Sequence, residues 1–221
     1  DTPTNNFCTW NILGSAKHGG PGTALVLLSE GNLRMDHSAT ANPGDCIVGG
    51  TFGVTTGKWY WEISQNHSST NQNSYVGCRA MAEDWTTAYV APESSDWGDG
   101  FSFKFGNDGS GSGGSSTDGY VIKYVDGTES NVDTGTHLSN DDILGINLDL
   151  DNGDVYLQIN GSDIYSGNSV ISTIRNTVGL TYTPHLACGY LMAHALLNTG
   201  GCSPFALSSA VSDENGYGNF E

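Results

Sequence analysis

Basic residues are scarce in this 221-residue chain, which has 7 lysines and arginines against 24 aspartates and glutamates and a net charge of −17. A surface of that sign repels the phosphates of nucleic acids and the anionic headgroups of membranes. We therefore expect no nucleic-acid partner. The balance suits salty surroundings, where ions screen the repulsion between acidic side chains.

Long hydrophobic runs are also lacking. The longest, Ala24–Leu28, is far shorter than the ~20 apolar residues that span a bilayer, so we expect no membrane insertion. The sequence opens on Asp1 and shows no signal-peptide pattern. We therefore expect either a processed chain or a piece of a longer protein.

The five cysteines contain no Cys-x-x-Cys pair, so their spacing predicts no zinc site. Cys78 and Cys188 lie in apolar, strand-like runs and are predicted to be buried thiols. Cys8, Cys46 and Cys202 lie in loop-like surroundings, where one disulfide among the three stays open. The odd number leaves at least one thiol free or intermolecular.

Motifs of catalysis and metal binding are likewise missing. No Ser-His-Asp arrangement, phosphate loop or dinucleotide fingerprint occurs. The acidic residues around Asn152-Gly153 resemble a calcium loop, but position 160 is Asn where an EF-hand places Glu. We predict no catalytic residue, no metal ligand and no cofactor. A calcium ion bound in the loops stays as an alternative, with candidate ligands Asp96, Asp99 and Asp108.

What the chain does have is a clear hairpin pattern over residues 141–161. Ile146, Leu148 and Leu150 alternate with polar residues, and Val155, Leu157 and Ile159 repeat the alternation after Asn152-Gly153. Asn-Gly pairs, here at 152–153 and 160–161, favour the two-residue turns that join antiparallel strands. The pattern predicts strands with one dry face and one wet face.

Short strands separated by turns are predicted along most of the chain, at 23–28, 31–35, 47–54, 58–64, 75–81, 101–105 and 120–125. Polar or glycine-rich loops are predicted at 65–73, 82–100 and 106–119. Residues 186–197 fit either a helix or strands, and Gly189 favours strands. This pattern indicates an all-β, two-sheet antiparallel β-sandwich. We divide the chain into an irregular N-terminal segment 1–22, a sandwich 23–205 and a C-terminal extension 206–221.

Several segments resemble SPRY domains, which have a concanavalin-like jelly-roll sandwich. Gly57–Ile63 (GKWYWEI) is similar to the family's Gly-Lys-x-Tyr-Trp-Glu-Val strand, and Tyr75–Cys78 to its Val-Gly-Val strand. Asp142–Gly161 resembles the core that contains Asp-Val-Ile-Gly-Val, Leu-Asp and Asn-Gly, and Thr183–Leu186 resembles a late strand. The resemblance covers roughly residues 50–205. It departs from the family in a longer segment 106–140 and in Leu197–Gly200, where the family often has Asn-Phe-Gly.

The flanks, Asp1–Phe7 and Asn215–Phe220, resemble segments that border SPRY modules in tailed-phage and environmental virus proteins. The resemblance implies a non-catalytic structural or adhesion module of a virion or other extracellular fibre. Its implied partners are neighbouring fibre or virion subunits, in a homo-oligomer formed through the parent protein, and a host-surface glycan or protein. Two alternatives are a peptide-binding interaction adaptor and a carbohydrate-binding, lectin-like domain.

SPRY domains bind through loops at one rim of the sandwich, so the resemblance directs attention to 65–74, 82–100 and 106–119. Aromatic rings offer flat faces to sugars or peptide side chains, and amides offer hydrogen bonds. Trp97 has the alternative of closing the edge of the sandwich. Trp59 and Trp61 belong to a strand with one core face and are expected to make few ligand contacts. The candidate ligand-binding residues are Asn71, Gln72, Asn73, Trp85, Tyr89 and Trp97.

Overall fold

The computed structural model of the chain describes residues 7–17, 25–38, 46–67, 71–80, 100–108, 121–125, 128–132, 139–172, 174, 180–188, 192–201, 203–212, 216 and 218–221. Its strands, numbered in chain order, are β1 Trp10–Lys17, β2 Leu25–Ser29, β3 Arg34–Ser38, β4 Cys46–Gly50, β5 Lys58–His67, β6 Asn71–Ala80, β7 Gly100–Asp108, β8 Val121–Val125, β9 Thr128–Val132, β10 Ile143–Asp149, β11 Asp154–Ile159, β12 Ser162–Asp163, β13 Tyr182–Cys188, β14 Met192–Asn198, β15 Val211–Ser212 and β16 Asn219–Phe220. A short 3-10 turn, Glu30–Asn32, joins β2 to β3.

Two seven-stranded sheets form the body of the molecule, and every strand pairing in the described ranges is antiparallel. Sheet A has the order β1-β4-β13-β6-β7-β8-β9. Sheet B has the order β12-β11-β10-β5-β14-β3-β2, and β15 pairs with β16 in a small third sheet. The predicted two-sheet antiparallel sandwich is confirmed. No helix within the described ranges is long and apolar enough to cross a membrane.

The core consists of alternate side chains from both sheets, as the period of two in a strand requires. Ile146 and Leu148 of β10 are buried on sheet B, and Val76, Phe103 and Leu186 belong to the same buried cluster on sheet A. Burial of these side chains supplies the main favourable contribution to folding.

The two Asn-Gly pairs form different turns. Asn160 and Gly161 make a two-residue turn between β11 and β12, with φ of 49° and 72°, as predicted. The turn between β10 and β11 is longer than the predicted two residues, because the last ladder pair is Asp149 with Asp154. Within this four-residue loop, Gly153 has φ of 79° and donates its N–H to the Asp149 carbonyl at 2.8 Å.

Residues 186–197 are strands and not a helix, since β13 ends at Cys188 and β14 starts at Met192. The predicted loop at 65–73 is wrong for most of its length, because β5 continues to His67 and β6 already begins at Asn71. The predicted loop at 106–119 likewise loses residues 106–108 to β7. The side chains of these residues are polar, so the sequence showed no strand pattern there. The strands form because the ladder joins backbone groups, as in the pairing of Asn71 with Asp108.

The N-terminal segment is not irregular throughout, because β1 pairs with β4 at the edge of sheet A. Trp10 is wholly buried there, and burial of its ring helps to hold β1 on the sandwich. Cys8 lies in a loop as predicted but is buried, Cys46 is buried at the start of β4, and the prediction of a buried Cys78 is confirmed. Cys8 and Cys78 are free thiols, so Cys8 drops out of the disulfide left open above. Cys202 lies outside the described residues.

We predict that Ile146→Ala lowers the free energy of unfolding by about 2–5 kcal/mol, because it leaves a cavity between the sheets. Leu13→Ala is the control, since Leu13 is 81% exposed and its truncation leaves the core intact. Urea denaturation of both variants measures the difference. Equal stability of the two variants would contradict the assignment of the core.

Candidate functional site

The outer face of sheet B carries a polar and aromatic surface across three neighbouring strands. Asn147 of β10 pairs with Tyr60 of β5 on one side and with Tyr156 of β11 on the other. Because residues opposite each other in a ladder share a face, both rings and the amide point away from the core. They belong to a concave depression of about 500 Å³, which we call the sheet groove. Its other side chains that can meet a ligand include Gln158 and Asp163.

Two polar groups of the sheet groove are available to a ligand. Within the described part of the chain, neither the Asn147 amide nor the Tyr156 hydroxyl makes a hydrogen bond. Both side chains are half-buried, so they are held on a rigid sheet and still reached by solvent. Asp163, in contrast, already accepts the Tyr165 N–H at 2.8 Å.

Tyr60 forms a fixed wall of the groove. Its hydroxyl donates to Glu62 Oε1 at 2.9 Å and lies 3.3 Å from Gln158 Oε1. Its ring meets Phe220 edge-on, with centroids 4.8 Å apart. The ring also lies over Gly145, where any β-carbon would overlap the Tyr60 hydroxyl. Burial and the nearby Glu62 carboxylate raise the pKa of Tyr60, so the hydroxyl stays neutral.

Glu62 is fully buried beneath this wall and accepts three described hydrogen bonds. The donors are the Tyr60 hydroxyl, Asn198 Nδ2 at 2.8 Å and the Glu221 N–H at 2.7 Å. Burial raises the pKa of Glu62, and the three hydrogen bonds oppose that rise. The sequence had favoured a structural role for this residue over a catalytic one, and these contacts agree with it.

The last described residues, Gly218–Glu221, lie across the outer face of sheet B and are called the C-terminal strap below. Asn198 Nδ2 donates to the Asn219 carbonyl at 2.9 Å. At the far end, the Glu221 carboxylate accepts the Ser208 N–H at 2.6 Å and also the Ser208 hydroxyl. The predicted C-terminal extension is therefore packed on the sandwich in its described part, where it supports Tyr60.

The acidic loop beside the groove is a capped turn. Asp149 Oδ1 accepts the N–H groups of Asp151 at 3.0 Å and Asn152 at 3.1 Å. Its Oδ2 accepts Asn152 Nδ2 at 2.8 Å and lies 3.0 Å from Lys58 Nζ. The Asn152 hydrogen bond, with help from Lys58, lowers the pKa of Asp149 to about 2. Both oxygens are therefore occupied by protein donors, as the turn interpretation of the sequence required. In the described ranges, no group of three or more acidic, His or Cys side chains could hold a metal ion.

A second concavity, which we call the end cavity, has a volume of about 360 Å³. It lies where the connection from β4 to β5 closes one end of the sandwich, the end that contains Lys58. Phe52 and Val54 of that connection line it, and Trp59 and Tyr60 line both concavities. Trp61 is buried as expected, whereas Trp59, the second residue of β5, is 47% exposed.

The described residues among those predicted to bind a ligand, Asn71 to Asn73, do not line the sheet groove. Asn71, Gln72 and Asn73 form the start of β6, which lies at the opposite end of the sandwich, next to His67. Trp85, Tyr89 and Trp97 lie outside the described residues. The strands that flank them, ending at Ala80 and starting at Gly100, place both ends of that connection at the Lys58 end. The six candidates thus come from connections at opposite ends of the sandwich.

The groove residues that the sequence did not select had a visible signal. Asn147 lay on the predicted wet face of the hairpin, and Tyr156 and Gln158 lay on the matching face of the next strand. An aromatic ring on a solvent-facing strand position is the feature that could have identified the groove. Tyr60 could not be assigned to the groove from the sequence, because the local pattern does not show which strand pairs with β10.

Comparisons with known proteins agree on the fold alone. The SPRY domain of human HERC1 has a similar structure, with 12% identity and a TM-score of 0.54, covering 86% of this chain and 97% of that one. The TRIM65 PSpry domain is also similar, with 12% identity and a TM-score of 0.49, over 88% of this chain and 90% of that one. No protein-family model matches the sequence, and no curated protein matches it. The chain therefore has a SPRY-type fold.

We predict that Asp149→Asn destabilises the domain at neutral pH. The folded-state pKa of Asp149 is about 2, below its ordinary value of 3.8, so its ionised form stabilises the fold. That contribution is complete above the ordinary value and is lost as the pH falls toward the folded value. The gap in unfolding free energy between wild type and D149N should therefore narrow below about pH 4. Asp154→Asn is the control, and a gap for D149N that does not change with pH would contradict the account.

We predict that Glu62→Gln lowers stability by about 1–3 kcal/mol, the cost of leaving one buried donor without an acceptor. The amide that replaces the carboxylate presents its own N–H to a site filled with donors. Glu30→Gln serves as the control, because Glu30 is exposed and its ion pair with Arg34 is long, at 3.8 Å. Urea unfolding measures the stability of both variants. Equal stabilities would show that the Glu62 carboxylate is not needed to stabilise the fold.

Proposed function

We propose that this domain is a non-catalytic recognition module that binds an uncharged glycan in the sheet groove. The supporting observation is the set of groups on one rigid surface, namely the rings of Tyr60 and Tyr156 and the amides of Asn147 and Gln158. Sugars present apolar C–H faces and ring hydroxyls, and aromatic faces and amides complement both.

The charge of the domain favours a neutral ligand over an anionic one. The net charge is −17, and the groove contains Asp149 and Asp163. Lys58, the cation of the groove, is engaged by Asp149 at 3.0 Å. A sialylated or sulfated glycan would meet like charge there, whereas a neutral sugar would not.

Among the described residues, the groups that come nearest to catalytic ones are poorly placed for chemistry. A glycosidase needs a carboxylic acid with a raised pKa at the scissile bond, but the pKa of Asp149 in the groove is lowered to about 2. Glu62 has a raised pKa, yet it is fully buried under Tyr60 and the C-terminal strap. The Ser102 hydroxyl contacts His185 Nε2 at 2.7 Å, but both side chains are completely buried, so no substrate reaches them. These placements support binding without turnover.

In the biological setting that we propose, the domain belongs to a virion or other extracellular fibre and attaches it to a host surface. The support is the resemblance of both flanks to segments that border SPRY modules in viral appendage proteins. Neighbouring fibre subunits would hold several copies together, and weak single-site binding would gain strength through multivalency. The proposed binding uses no calcium ion, and it is supported within the groove by the Asp149 oxygens, which already accept hydrogen bonds from protein donors. The candidate calcium ligands Asp96 and Asp99 lie outside the described residues.

A glycan array with the purified domain tests the proposal, followed by titration of the best neutral glycan. We predict that Tyr156→Ala weakens binding at least about tenfold, the loss of about 1.4 kcal/mol expected for a central aromatic contact. Tyr165→Ala is the matched control, because Tyr165 is 45% exposed and does not line the groove. Binding should persist in a calcium chelator. Absence of binding to any neutral glycan, or equal affinities of the two variants for it, would contradict the proposal.

A further inference from the structure

Two cysteines that are distant in the sequence share one rung of sheet A. Cys46 is the first residue of β4, and Cys188 is the last residue of β13. The ladder between these antiparallel strands places Cys188 directly opposite Cys46. Opposite register positions in a ladder lie on the same face of a sheet. Both positions therefore belong to the inner face, where Cys46 is part of the core.

The geometry of this rung suits a covalent link between the two residues. Opposite α-carbons in an antiparallel ladder are about 4.5–5.5 Å apart, and a disulfide joins residues whose α-carbons are about 4.4–6.8 Å apart. The β-carbons, about 4.5–5.5 Å apart in a ladder, must come to within about 4.5 Å, so they approach by at most about 1 Å. The pairing of β4 with β13 ends at this rung, where the backbone can shift without disturbing a rung beyond it.

The other described cysteines lie too far along the sandwich to pair with Cys46. Cys78 is opposite Pro184, which is about 13 Å from Cys188 along the strand. Cys8 lines the end cavity together with Cys78 and so lies at the same end of the sandwich. Burial raises the pKa of the Cys8 and Cys78 thiols, which also makes their exchange with other disulfides slow.

From this register we propose that Cys46 and Cys188 form a cross-strand disulfide when the domain folds in an oxidising compartment. The structure contains Cys46 as a fully buried thiol, which is the reduced form of the domain. Because an oxidant cannot reach a buried sulfur, the bond forms before β4 and β13 close over it. The proposal does not depend on glycan binding. It names a different pair from Cys46 and Cys202, the disulfide that the sequence left open.

The oxidant is a low-molecular-weight disulfide such as oxidised glutathione. One cysteine thiolate attacks that disulfide, which forms a mixed disulfide and releases the first glutathione. The second cysteine thiolate then attacks the protein sulfur of the mixed disulfide and releases the second glutathione. One S–S bond is broken and one is formed. The two electrons pass from the protein to the oxidant, and the two cysteine protons end on the two glutathione thiols.

The test refolds the reduced, denatured domain with oxidised glutathione, blocks the remaining thiols and maps the linked peptides by mass spectrometry. We expect a peptide pair that joins Cys46 to Cys188. We also expect a Tm at least about 5 °C above that of the reduced domain, because the link closes a long loop in the unfolded chain. Cys46→Ser and Cys188→Ser should each lose the peptide pair and the Tm difference. Cys202→Ser is the matched control and should keep both.

A peptide map without the pair, or with Cys46 joined to Cys202, would overturn the proposal. Equal Tm values for the oxidised and reduced wild-type domain would contradict it as well, because a link that fits the native rung must stabilise the fold. The map of the wild-type domain decides the matter even if a serine variant fails to fold. None of these measurements requires a glycan, so their outcome is separate from that of the proposed function.

Discussion

One buried carboxylate determines how the outer face of sheet B is built. Glu62 lies on the face of β5 that the core does not use, and it accepts hydrogen bonds from Tyr60, Asn198 and the backbone of Glu221. A charge held without solvent needs several donors, and these donors come from β5, β14 and the C-terminal strap. The same residue therefore fixes the strap on the sheet and the Tyr60 ring in the groove. Phe220 and Gly145 complete the setting of that ring, one by packing against its edge and the other by leaving room beneath it.

The two faces of sheet B have different roles because of this arrangement. The inner face supplies hydrophobic stability through alternate residues of β5, β10 and β11. The outer face is free to carry recognition, since its backbone is already held by the ladder and Tyr60 is locked by Glu62. Such preorganisation lowers the entropy lost when a ligand binds. The proposed glycan uses the amides of the groove for polar contacts and the ring of Tyr156 for apolar ones.

The sequence predicted the parts of the fold that depend on neighbouring residues, namely alternating strands and the turns between them. The hairpin of β10 and β11 was readable because its apolar residues alternate and an Asn-Gly pair follows each strand. The start of β6 was missed because Asn71–Asn73 are polar, although their backbone groups pair with β7. β1 was missed because its burial depends on a partner strand far along the chain. The fixed position of Tyr60 in the groove was not predictable for the same reason, since Glu62 and Glu221, which hold it, are 159 positions apart. The loop tryptophans selected from the sequence stay a prediction.

The most direct test of the account is a map of where a neutral glycoside binds, obtained from amide chemical-shift changes in the isotopically labelled domain. The account predicts that the largest changes cluster on Asn147, Tyr156, Gln158 and Asp163, with smaller changes that extend through Tyr60 to Glu221. Changes centred instead on Asn71–Asn73, at the opposite end of the sandwich, would contradict the sheet groove as the site of recognition.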